Sequence, residues 1–142
     1  MRLRILFCTL LCSIAGLSIA SKEIDFSNTD LAKQVLLDNT WTCQLVDLHG
    51  KTDSTWKFKS ISGNKITGSF EIDQYMACSA DHFKGKIKNN TIKYYARTNH
   101  SSCREFNGTF RFFRDSNGTL KADGHYEYGG LRFNGKYTCT AN

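Results

Sequence analysis

The stretch Phe83-Lys84-Gly85-Lys86-Ile87-Lys88-Asn89-Asn90-Thr91-Ile92-Lys93-Tyr94-Tyr95-Ala96-Arg97 decides how this chain folds. Its first half alternates Phe83, Gly85 and Ile87 with three lysines. Its second half alternates Ile92, Tyr94 and Ala96 with Lys93, Tyr95 and Arg97. A period of two puts one set of side chains on the buried face of a sheet and the other in water. Asn89-Asn90 divides the halves, and asparagine tolerates the positive φ of a tight hairpin. A two-residue loop there sets Lys88 opposite Thr91 and Ile87 opposite Ile92, so apolar meets apolar.

The same period recurs on either side. It runs through Trp41–Val46, Thr55–Lys59 and Ile66–Ile72 before the hairpin, and through Phe106–Phe112, Leu120–Tyr128 and Leu131–Cys139 after it. The breaks carry turn residues at 48–50, 62–64, 115–118 and 129–130, and proline is absent. Five of the eight segments place an inward glycine two residues before an inward large residue, at Gly68, Gly85, Gly108, Gly124 and Gly135. Glycine weakens a flat strand, and its repetition on one face predicts the sharp coiling that closure needs. The expected fold is all-β: an eight-stranded antiparallel up-and-down barrel, without free edges. A short helix over 27–38, capped by Thr29 or Ser27, leads into it.

The chain divides into three parts. Residues 1–20 read as a signal peptide: Arg2 and Arg4, an apolar run from Ile5 to Leu17, then Ser18-Ile19-Ala20 as a cleavage site. The run is too short for a transmembrane span. Residues 21–38 form the lead with the helix, and 39–142 the barrel domain. Two of the six cysteines leave with the leader, and Cys43, Cys78, Cys103 and Cys139 remain. Their spacings of 35, 25 and 36 hold no Cys-x-x-Cys pair, which argues for disulfides over a zinc site. Four cysteines allow three pairings. In a meander the first and last strands become neighbours, which favours Cys43–Cys139 across the seam and Cys78–Cys103 between two loops. The expected location is secreted or periplasmic.

The residues give catalysis little to work with. The strand centres facing inward carry no Asp, Glu, His, Lys or Arg, and His82 and His125 face outward. Asp81-His82 near Cys78 reads as a solvated turn. No phosphate loop, nucleophile elbow or zinc-protease motif occurs, and no cofactor or metal is expected. The inward aromatics instead suggest a cavity for a small, apolar or amphipathic ligand, lined by Trp41, Trp56, Tyr94, Tyr126 and Tyr137. An alternative is a protein-binding module, such as an inhibitor of an enzyme or toxin, that uses its loops and a basic outer face. A structural cell-envelope protein is a third reading. Removing the leader lowers the charge from +6 to 17 basic against 13 acidic residues, or +4. That balance suits an anionic protein, glycan or lipid surface, and nucleic acid is not an expected partner. Sequons at Asn89, Asn99, Asn107 and Asn117 fall in turns, loops or outward positions.

Asn39-Thr40-Trp41 is similar to the Gly-x-Trp that opens the first strand of lipocalins, with asparagine in place of glycine. Lys65-Ile66-Thr67-Gly68-Ser69-Phe70 resembles the second hairpin of avidin-like proteins. Residues 39–72 thus resemble calycin barrels, which implies a barrel whose open mouth takes a small ligand. The later tryptophans that wall the avidin biotin site have no counterpart here, because Trp41 and Trp56 are the only two.

Overall fold

The computed structural model describes residues 20–73, 78–98, 100–129 and 133–142. The leader before Ala20, the Asn99 sequon, and Gly130, Leu131 and Arg132 lie outside them. So does the Phe133 side chain.

A pattern of period two produces a sheet that closes on itself. Strands β2 (Thr40–Asp47), β3 (Gly50–Ser62), β4 (Lys65–Ile72), β5 (Ala80–Lys88), β6 (Thr91–Arg97), β7 (Glu105–Arg114), β8 (Leu120–Tyr128) and β9 (Phe133–Ala141) follow one another as an antiparallel meander. β9 pairs with β2, so the eight form a closed barrel. The Asn89-Asn90 hairpin has the register read from its sequence, with Lys88 opposite Thr91 and Ile87 opposite Ile92. Asn89 takes φ 55°, the left-handed conformation that the turn demands. The inward glycines mark close approach. A Cβ on Gly124 would collide with the Thr109 carbonyl oxygen, so β7 and β8 could not coil together there around any other residue.

Three details depart from the sequence expectation. The helix α1 covers Thr29–Leu36 rather than 27–38, and its cap is Asn28, whose Oδ1 accepts from the Asp30 and Leu31 amides at 3.0 and 3.1 Å. Asparagine and serine cap about equally well, so composition alone could not choose between neighbours. At the far end Asn39 Nδ2 donates to the Val35 and Gln34 carbonyls at 2.9 and 3.2 Å, satisfying groups that the helix leaves open. Secondly, a ninth strand, β1 (Lys22–Glu23), pairs with Arg114 and Phe113 at the end of β7. It occupies the edge that β6 vacates by starting opposite Arg111. Thirdly, β3 is thirteen residues long and carries a bulge between Phe58 and Ser60.

The core divides into levels along the barrel axis. At the closed base, Ile24, Phe26, Ala32, Val35 and Leu36 pack beneath Trp41 and Phe112, whose rings meet edge-on at 5.1 Å. The waist is aromatic throughout. Trp56 is fully buried, stacks on Phe70 at 4.2 Å, and meets Tyr94 and Phe110 edge-on at 5.1 and 4.9 Å. The upper level holds Leu45, Ile72, Phe106 and Tyr126.

Both disulfides expected from the meander are formed. Cys43 and Cys139 face each other directly across the β2–β9 seam. Cys78–Cys103 ties the β4–β5 loop to the β6–β7 loop. Two such bonds belong to a protein working outside the reducing cytosol. Among the described residues no helix is long and apolar enough to cross a membrane.

Candidate functional site

α1 and the lead plug one end of the barrel, and the other end carries the loops. A cavity of about 390 Å³ lies at this mouth. Leu45, Ile72, Phe106 and Tyr126 form its floor, and Tyr128, Thr52 and the Cys78–Cys103 disulfide its wall. Asp47, His49, Lys51 and His100 stand around it. The volume falls at the lower end of the range usual for small-molecule sites, as does its mix of apolar wall with few polar groups.

The local geometry follows from strand parity. Trp41, Cys43 and Leu45 face inward, so the next position of that parity, Asp47, also belongs to the inner face, at the point where β2 leaves the barrel. Its carboxylate organises the rim. Oδ2 accepts from the Tyr128 and Tyr126 hydroxyls at 3.0 and 3.2 Å, and Oδ1 accepts from the His49 amide at 2.7 Å. The rings of Phe106 and Tyr126 stack at 5.3 Å and an interplanar angle of 7°. Thr52, on the same face of β3, has a buried hydroxyl with no hydrogen-bond partner among the described residues. A ligand group that could bond this hydroxyl would remove a cost of about 1–3 kcal/mol.

The structure separates the five residues predicted to line a pocket. Trp41 sits in the base, under α1. Trp56, Tyr94 and Tyr137 come together in the waist, where they fill the interior. Tyr126 alone reaches the mouth cavity. Asp47, Thr52 and Phe106 were not among the candidates. Extending the β2 parity by one residue would have found Asp47. Thr52 lies in Gly50-Lys51-Thr52-Asp53-Ser54, whose lack of apolar residues hides its strand character.

Cys78, Cys103 and His100 lie close together, with their possible ligand atoms within 4.8 Å of one another. The two sulfurs are bonded to each other, which leaves no thiolate to hold a metal.

Burial sets the ionisation of the interior. It raises the Tyr94 hydroxyl well above the usual tyrosine range. Tyr137 is raised by burial and by the neighbouring Tyr94, and its hydroxyl donates to the Thr109 carbonyl at 2.7 Å. Tyr126 is raised by burial and by the Asp47 carboxylate that it faces. In the unfolded chain these groups lose their protons near pH 10. The folded state keeps them, so above pH 10 unfolding releases protons and stability falls as pH rises. We therefore expect Tyr94, Tyr126 and Tyr137 to remain protonated in the native protein at pH 11. In a spectrophotometric titration they should ionise only together with loss of the near-UV circular dichroism. Ionisation of all six tyrosines before that loss would refute the buried arrangement.

No family model matches the sequence, and no curated protein matches it. Among solved structures the barrel is similar to EF1p2_mFAP2b bound to DFHBI, with a TM-score of 0.50 and 18% identity. The alignment covers 78% of this chain and 95% of that one. At this identity the likeness is one of fold. It agrees with the eight-stranded barrel described above.

Proposed function

We propose that this chain is an exported, non-enzymatic binding protein that takes a small, partly apolar ligand at the mouth of its barrel. The carrying observation is the cavity of about 390 Å³ above Phe106 and Tyr126. Its apolar floor would remove a ring or short hydrocarbon from water, at roughly 25 cal/mol per Å² of surface buried. The unpartnered Thr52 hydroxyl would orient a polar substituent. Both Asp47 oxygens already accept hydrogen bonds from the protein, so the carboxylate serves here to hold the rim. The similar barrel EF1p2_mFAP2b is bound to DFHBI, which supports a barrel of this kind accommodating a small ligand. Secretion or periplasmic residence accords with the apolar leader and the two disulfides.

The test is a thermal-shift and fluorescence screen with fatty acids, aromatic alcohols and hydrophobic dyes. A ligand at a hundred times its Kd should stabilise the fold by about 2.7 kcal/mol. Ile72→Trp would place an indole in the cavity and should abolish that gain while far-UV circular dichroism stays native. Persistent binding by this variant would move the site elsewhere, and a screen without any stabilising compound would defeat the reading.

A further inference from the structure

We propose that the outer face of β4, β5 and β6 is a second binding site, for a linear acidic polysaccharide bearing sulfate or carboxylate groups. The carrying feature is a row of three lysines. Lys65 of β4 pairs directly with Lys86 of β5, and Lys86 pairs directly with Lys93 of β6. Neighbouring strands lie about 4.8 Å apart, well within the Debye length of about 8 Å at physiological salt. Like charges placed directly opposite one another on a sheet destabilise it. This row therefore lowers stability in the free protein, and an anion laid across it relieves the repulsion.

The surroundings strengthen the charge. Lys84 and Lys88 extend it along β5, and all five lysines border a groove of about 1090 Å³. Among the described residues the one salt bridge is Arg111–Asp123, on β7 and β8 at 2.9 Å, so none of the five lysines has a carboxylate partner. The acids of β4 and β5, Glu71 and Asp81, lie at the opposite end of their strands from the lysine row, whereas on β7 and β8 Glu105, Asp123 and Glu127 are interspersed with the basic residues.

Shape and chemistry choose the occupant. A membrane-binding face would offer apolar groups for insertion. Val46 and Leu48, two of the three exposed large apolar residues among the described residues, lie instead on or beside β2. The third, Tyr95, stands in the groove, directly opposite Lys84, and is 47% exposed as a residue. An aromatic face beside ammonium groups suits the C–H face of a sugar ring carrying anions. The lysines themselves are point charges on flexible stems, which suit spaced, separately hydrated anions better than one fixed planar group. A flexible chain can follow a groove that a flat bilayer would bridge.

The experiment uses heparin and alginate as the sulfated and carboxylated probes, with neutral dextran, phosphatidylglycerol vesicles and a single-stranded oligonucleotide as rivals, at about 0.15 M salt. Binding to heparin or alginate above all three rivals is expected, and the better of the two assigns the anion. The variant Lys65→Gln/Lys86→Gln/Lys93→Gln should bind about tenfold more weakly, as loss of three exposed ion pairs would give. Its Tm should be unchanged or higher, because the opposed charges are gone. Lys22→Gln/Lys33→Gln/Lys136→Gln makes the same change of net charge elsewhere on the surface and should keep full affinity. Equal losses in both variants would reduce the effect to net charge and overturn the site. So would tighter binding to vesicles or oligonucleotide, or no binding to either polysaccharide. The mouth variant Ile72→Trp should bind heparin or alginate normally, which keeps this result independent of the ligand reading above.

Discussion

Replacing Cys43 and Cys139 together by alanine should lower the unfolding free energy by about 4–5 kcal/mol, in proportion to the entropy that a bond across so long a loop removes from the unfolded chain. The two cysteines are 96 residues apart in sequence. Cys78 and Cys103 are separated by only 25. Their double replacement should cost less, about 3–4 kcal/mol on the same argument. The structure adds a second reason for the order. The seam bond is buried and joins the strands where the barrel closes, whereas the rim bond joins two connecting loops. Urea denaturation of both double variants, beside the parent protein, measures the difference. A rim variant less stable than the seam variant would show that closure does not depend on the β2–β9 clasp.

Trp56→Ala should cost about 3–5 kcal/mol, the upper range for large-to-small changes in a core. Trp56 is wholly buried, and its indole contacts aromatic rings from five other strands: Phe70, Phe83, Tyr94, Phe110 and Tyr137. Its Nε1 also donates to Ser54 Oγ at 2.9 Å, and Ser54 in turn donates to the Cys43 carbonyl at 3.3 Å. Removing the ring empties the middle of the barrel and leaves the Ser54 hydroxyl without its donor. The walls belong to a closed ladder and cannot collapse inward by much. The resulting apolar space should therefore accept indole, as engineered dry cavities accept small aromatics. Millimolar indole is expected to raise the Tm of the variant and leave that of the parent unchanged. A loss below about 1 kcal/mol would mean that Trp56 is not the keystone of the waist.

The barrel was legible because its signal is repeated. Each strand from Trp41 onward alternates, the hairpin at Asn89-Asn90 fixes its own register, and the inward glycines point to coiling. The cysteine pairing followed once strand order was known. What escaped had weak local signals. β1 is two residues long, too short for any period, and forms because β7 outruns β6. The start of β3 is polar, so Thr52 and Ser54 gave no apolar rhythm, yet pairing with β2 from Gly50 onward holds them in the ladder. The candidate site was harder still. Parity shows which side chains face inward but not their height along the axis. Trp41, Trp56 and Tyr126 look alike in sequence, and only the three-dimensional stagger sends them to the base, the waist and the mouth.

The filled waist separates what holds the protein together from what it meets. A substitution at the exposed rim residue Lys51 leaves the aromatic stack below untouched, so selectivity is open to change there at little risk to folding. A family built on this plan could diversify its ligands by altering its loops alone, in the way that a handle accepts many tools.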